Sequence, residues 1–212
     1  MGLTKSIADQ ARKPKGKFGK AFARLMNTGH SQLTRWGLSH IPIGEDFIIL
    51  DVGCGGGKTI NQLAGIATKG KIYGIDYSET SIAVATSINK KYIDTGHVEI
   101  THASVDSLPF SDNMFDMVTA IETYFFWPNL VKNLREIRRV LKTGGHLLLI
   151  NEAYRDDRFE KRNAIFSKAG NFTYHSPYEF KDFFKDAGYV NIHIDLVPSK
   201  NWITVSGEKD DS

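Results

Sequence analysis

The stretch Asp51-Val52-Gly53-Cys54-Gly55-Gly56-Gly57-Lys58-Thr59 follows an apolar run, Phe47-Ile48-Ile49-Leu50, that reads as a buried strand. Glycines placed after such a strand let the backbone approach a ligand that any Cβ would block. Three classes of nucleotide-containing ligand use that device, and residue spacing separates them. A triphosphate loop, GxxxxGK[ST], ending at Gly57-Lys58-Thr59 needs glycine at position 52, where Val52 stands. The dinucleotide fingerprint GxGxxG, started at Gly53, needs glycine at position 58, where Lys58 stands. Both fail. Lys58 reads as a solvated residue near a helix start.

The next apolar run, Lys71-Ile72-Tyr73-Gly74-Ile75-Asp76, ends at an acid about twenty residues after the glycines, where a ribose-binding carboxylate is expected. A cis-diol presents two donors, and one carboxylate has two acceptor oxygens to meet them. The alternative for Asp76 is a turn or cap before Ser78. Asp51 and Asp76 also suit a cationic ligand better than a triphosphate.

Ile49-Leu50-Asp51-Val52-Gly53-Cys54-Gly55-Gly56-Gly57 resembles the first motif of class I methyltransferases that use S-adenosylmethionine (SAM). The segments Ala103–Thr123 and Leu134–Glu152 are similar to that family's adenine loop with its fourth strand, and to the following helix, turn and fifth strand. The likeness runs from about Phe47 to Glu152, with the motifs in order. It implies that Asp51, Gly53, Cys54, Gly55 and Gly57 approach the carboxypropyl end and ribose of SAM. Asp76 follows on the ribose side, Tyr77, Ser104 and Val105 at the adenine, and Ile121 at the end of the fourth strand. The chain departs from the family at Ser104, where an acid is common. Adenine recognition is then expected from the Val105 N–H and from packing by Leu108 or Tyr77.

With a sulfonium as methyl donor, the protein's tasks are alignment and exclusion of water; alignment alone is worth about 7–11 kcal/mol. A base is needed only for an acceptor protonated at working pH. Glu122 ends the fourth strand and is followed by Thr123-Tyr124-Phe125-Phe126-Trp127-Pro128. Glu122 either orients the acceptor or the SAM amine, or serves as a cap or ion pair. The rings, Tyr124 among the catalytic candidates, are either pocket wall or core. His30 is the best candidate for a titrating group, because histidine changes charge near neutral pH; its alternative is an ordinary surface role. His175 and Tyr174 are weaker candidates. No metal site is expected, since the single cysteine, Cys54, excludes a cysteine-built one and any internal disulfide.

The elements that must carry these residues alternate along the chain. Strands are expected at 47–51, 71–76, 97–101, 115–122 and 146–152, with helices over about 57–68, 78–91 and 129–141. Gly144-Gly145 should stop the last of these helices. Ser176-Pro177-Tyr178-Glu179 combines a capping box with proline at the first helical position. VNIHIDL and WITVSGE close the chain as two strands joined without a helix. The expected fold is α/β: a Rossmann-like, doubly wound, mostly parallel seven-stranded sheet with an antiparallel C-terminal hairpin and an N-terminal helical lid. Residues 153–175 form an insertion rich in charge and aromatics.

The 212 residues divide into a basic arm and lid, 1–42, and the SAM-binding domain, 43–212. Net charge is only +3, yet Lys5, Arg12, Lys13, Lys15, Lys17, Lys20, Arg24 and Arg35 face only Asp9 over that stretch. Phe18, Ala21, Phe22, Leu25 and Met26 share one helical face. A basic amphipathic helix there acts as a lid, touches an anionic surface, or simply packs. The N-terminus lacks the roughly 7–15-residue apolar core of a signal peptide, and no run approaches about 20 apolar residues, so a cytoplasmic protein is expected.

The leading expectation is methyl transfer from SAM to a small molecule, aromatic or anionic. The competitors are an RNA or protein acceptor, and a SAM-binding module without catalysis. Against a base-methylating enzyme, no asparagine-proline-aromatic motif follows the fourth strand, and no nucleic-acid module is appended. Fold alone does not decide among them.

Overall fold

The structure, a computed structural model, describes residues 31–211. The basic arm, the Phe18–Met26 stretch and His30 lie outside the described residues. Helix α1 (Ser31–Leu38) precedes β1 (Ile48–Val52), α2 (Lys58–Ile66), β2 (Lys71–Asp76), α3 (Glu79–Ile93) and β3 (Val98–His102). Then come β4 (Phe115–Ile121), α4 (Leu130–Val140), β5 (Leu141–Asn151), α5 (Glu160–Gly170), α6 (Pro177–Asp186), β6 (Tyr189–Val197) and β7 (Trp202–Lys209).

Seven strands form one sheet in the order β3-β2-β1-β4-β5-β7-β6. The first five are parallel, and β7 runs antiparallel to both β5 and β6. The apolar runs in the strands follow from helices on both faces, which bury successive side chains in opposite directions. Leu50, Val118 and Leu149 belong to the core under α4 and α6. Their neighbours Ile49, Met117 and Leu148 belong to the core under α1, α2 and α3. Strand order reverses at β1, whose neighbours are β2 on one side and β4 on the other. A crevice opens beyond the strand ends at such a reversal.

Local signals set several boundaries. Ser78 accepts from the Ser81 N–H at the start of α3. Ser176 accepts from the Glu179 N–H at 3.3 Å while the Glu179 carboxylate accepts from the Ser176 N–H at 2.7 Å, which is the expected capping box. Helix α1 is fixed to the sheet by Leu33 and Leu38, and by Gly37, where a Cβ would collide with Ile150.

One expectation is corrected. Gly144-Gly145 does not separate α4 from β5, because the strand already begins at Leu141, paired with Phe115. The glycines sit inside it at an irregularity: Gly144 has φ +73°, and a Cβ on Gly145 would press on the carbonyls of Lys142, Phe115 and Asp116. The insertion also contains a helix, α5, with no apolar stripe to announce it. Asn163 is its one buried residue.

Candidate functional site

The glycine loop is tied to the neighbouring strand. Gly53 and Cys54 donate their N–H groups to the Ile75 carbonyl at 2.8 and 2.9 Å. Asp76, 9% exposed, accepts from the Gly55 N–H at 3.0 Å and the Ser78 N–H at 2.8 Å. Gly57 has φ +78°, and a Cβ there would meet Ala85 and Asn89 of α3. The Asn89 side chain donates to the Gly57 carbonyl at 2.8 Å and accepts from Asn61 at 3.2 Å. Asn89 went unread in the sequence, where a single asparagine inside a helical stretch carries no signal. Gly55 differs from its neighbours. At φ +53° its Cβ position meets no atom within 4 Å and opens on a cavity.

That cavity has a volume of about 340 Å³. Of the ten residues expected around the cofactor, nine line it: Asp51, Gly53, Cys54, Gly55, Asp76, Tyr77, Ser104, Val105 and Ile121. Gly57 lies behind the wall and shapes the loop. Lys58 is half-buried at the wall and not a freely solvated side chain. Glu122, Phe126 and Trp127 close another side, and Ser31 and Thr34 of α1 contribute to the rim.

Burial dominates the electrostatics. The Asp51 carboxyl, 2% exposed, is pushed up to about 7 by burial; a 2.7 Å bond from the Thr119 hydroxyl opposes this, and Asp76 adds to it. Asp76 is also raised by burial, against the N–H groups of Ser78 and Gly55. The Cys54 thiol is pushed up by burial and then by both acids, which makes it a poor nucleophile. Ser104 donates its hydroxyl proton to the Asp106 carboxylate, so its lone pairs remain to accept.

Thr119 was not read from the sequence, because it meets Asp51 only across the β1–β4 pairing. Thr119→Val should raise the Asp51 pKa further and destabilise the protein by about 1–2 kcal/mol. Urea unfolding at neutral pH checks this; unchanged stability would mean that the bond contributes nothing.

Glu122 stands at φ +58°, uncommon for a side chain of its size. Its N–H donates to Ile150 at 2.9 Å, and its carboxylate turns back to accept from the Glu152 N–H. Burial pushes this carboxyl well up, the Glu152 charge adds to that, and the Glu152 N–H and Arg162 oppose it.

Tyr124 is a correction. It is 2% exposed, packs against Phe125 and Phe180 at 4.9 Å each, and does not line the cavity. Residues 124–126 form one 3₁₀ turn, which sends consecutive side chains about 120° apart. Tyr124 therefore enters the core, Phe125 stacks on Phe172 of the insertion at 4.9 Å, and Phe126 faces the cavity. The aromatic run is thus part core and part wall. His175 packs on Phe183 at 4.9 Å, outside the cavity lining, and burial lowers its pKa. Among the described residues no His, Cys, Asp or Glu group is placed to hold a metal ion, and no helix is long and apolar enough to cross a membrane.

Residues 50–149 match a family model described as a methyltransferase domain. The chain thus resembles SAM-dependent methyltransferases over a little under half of its length. The domain is 35% identical over 102 residues to the demethylmenaquinone methyltransferase of Bacillus mycoides, covering 48% of this chain and 43% of that protein. It is 38% identical over 101 residues to the O-methyltransferase cnsE of Penicillium expansum, covering 48% of this chain and 36% of that one. The matches thus span less than half the length of these curated relatives. A SAM-dependent methyltransferase from Aquifex aeolicus shares the fold with TM-score 0.70 and 21% identity, over 90% of this chain and 98% of that one.

The residues lining the cavity fit SAM, the cofactor that the resemblance to methyltransferases implies. A Cβ at Gly55 would project into the cavity, and two buried carboxylates on its wall suit a cation and a diol. A triphosphate would meet the wrong sign of charge.

Proposed function

We propose that the protein transfers the methyl group of SAM to a small-molecule acceptor bound between Glu122 and the Phe126–Trp127 wall. The observation that carries this reading is that this acidic and aromatic wall closes the same cavity as the glycine loop. Further support comes from the relatives, one named for demethylmenaquinone and one for O-methylation.

In this reading Asp76 holds the ribose hydroxyls, and Asp51 with the glycine loop holds the amino-acid end. Ser104, Val105 and Tyr77 border the adenine. SAM supplies an activated methyl group on a sulfonium. Glu122 orients a hydroxyl-bearing acceptor and takes its proton, and the burial that raises its pKa makes the ionised carboxylate a stronger base. Phe126 and Trp127 exclude water and align a flat acceptor.

The test is release of S-adenosylhomocysteine with a panel of phenols and hydroquinones, with tRNA as a separate arm. Turnover with tRNA alone would replace the small-molecule reading. SAM binding with no turnover on any arm would favour a binding module.

Residues 1–30 continue from Ser31 at the cavity rim, and we read them as a segment that closes over bound ligands, with His30 brought near the acceptor. Deleting them should lower turnover while leaving SAM affinity within a few-fold. In the full chain, bound ligand should protect Lys20 and Arg24 from protease. Full activity of the deletion variant would remove both roles.

A further inference from the structure

Helix α5 is held to the end of β5 by polar contacts. Arg162 donates to the Glu152 carbonyl at 3.4 Å and to Asn163 Oδ1 at 3.2 and 3.1 Å, and lies 4.7 Å from the centroid of the Phe159 ring. Asn163 donates in turn to the Tyr154 carbonyl at 2.9 Å. Glu152 therefore uses both backbone groups: its carbonyl accepts from Arg162, and its N–H holds the Glu122 carboxylate on the cavity wall.

We propose that Arg162 is a positioning residue for Glu122, fixing Glu152 so that the Glu122 carboxylate stays placed, and charged, at the cavity wall. The role rests on the reading of Glu122 as the acceptor-side group. Four titratable or charged groups face that carboxylate: Glu152 at the end of β5, Tyr124 after β4, Arg162 on α5 and Tyr174 after it. Arg162 is the cationic member. Glu152 and burial oppose ionisation of Glu122, and Arg162 favours it. Its charge is exposed and screened, but Glu122 is half-buried and feels it through less water. A residue that only anchored α5 would leave the titration of Glu122 unmoved.

The test uses the full chain with ¹³C-labelled glutamate carboxyls, the Glu122 resonance being assigned with E122Q. R162Q should raise the Glu122 titration midpoint by about half a pH unit or more, and R162K should restore most of it. R162M keeps the stem against Phe159 and serves if R162Q loosens α5. An unmoved midpoint in the charge-removing variants would overturn the proposal, as would R162K behaving no better than R162Q. SAM affinity, measured by calorimetry, should stay within about twofold in the Arg162 variants. Failure of the wild type to bind SAM would sink the proposed function and leave the titration readable by itself.

Discussion

An Asp76→Ala variant is expected to bind SAM about ten- to 150-fold more weakly, a loss of about 1.5–3 kcal/mol for hydrogen bonds to a charged group. The structure adds a second source of loss. The Asp76 carboxylate holds the Gly55 N–H of the glycine loop and the Ser78 N–H ahead of α3, and alanine leaves both without that acceptor. The loop loses its tie to β2 at the point where it faces the cavity. Asp76→Asn should recover only part of the affinity, because one acceptor oxygen becomes a donor directed at an N–H or at the ligand. Calorimetric titration of SAM into each variant decides this; an unchanged dissociation constant in Asp76→Ala would remove the residue from the site.

The second large effect is on pH dependence. Asp51 has a pKa of about 7 in the free fold, raised mainly by burial. A cation bound beside it favours the carboxylate, so the bound form has the lower pKa. Below pH 7 binding must therefore expel a proton, and SAM affinity should fall by up to about tenfold per pH unit as pH decreases. Stability of the free protein runs the other way. The folded pKa lies above the unfolded value of 3.8, so this contribution is complete below that value and is lost as pH rises through about 7. SAM should accordingly raise the melting temperature more at pH 8 than at pH 6. Asp51→Asn should flatten both profiles. Calorimetry in two buffers of different ionisation enthalpy measures the released proton directly, and a pH-independent wild-type affinity would show that Asp51 does not meet the ligand's cation.

Outside the insertion, the sequence by itself determined the order of strands and helices, the glycine loop and the acid closing β2. Each of these is a local constraint. Alternating apolar runs impose a two-faced sheet, a positive φ favours glycine at 53, 55 and 57, and Ser176 with Glu179 closes a cap within four residues. The residues that tune the site were decided only in three dimensions. Thr119 reaches Asp51 because β4 pairs with β1, 68 positions away, and Asn89 reaches Gly57 across 32. Ser31 and Thr34 join the rim because α1 docks on the sheet through Leu33 and Leu38. The aromatic run shows the difference most plainly: one 3₁₀ turn divides adjacent rings among core, insertion and cavity, and composition holds no information about that rotation. Helix α5 was hidden for a related reason. It is fixed by Arg162 and Asn163 to the backbone of Glu152 and Tyr154, just after β5, and polar anchoring leaves no apolar period to read.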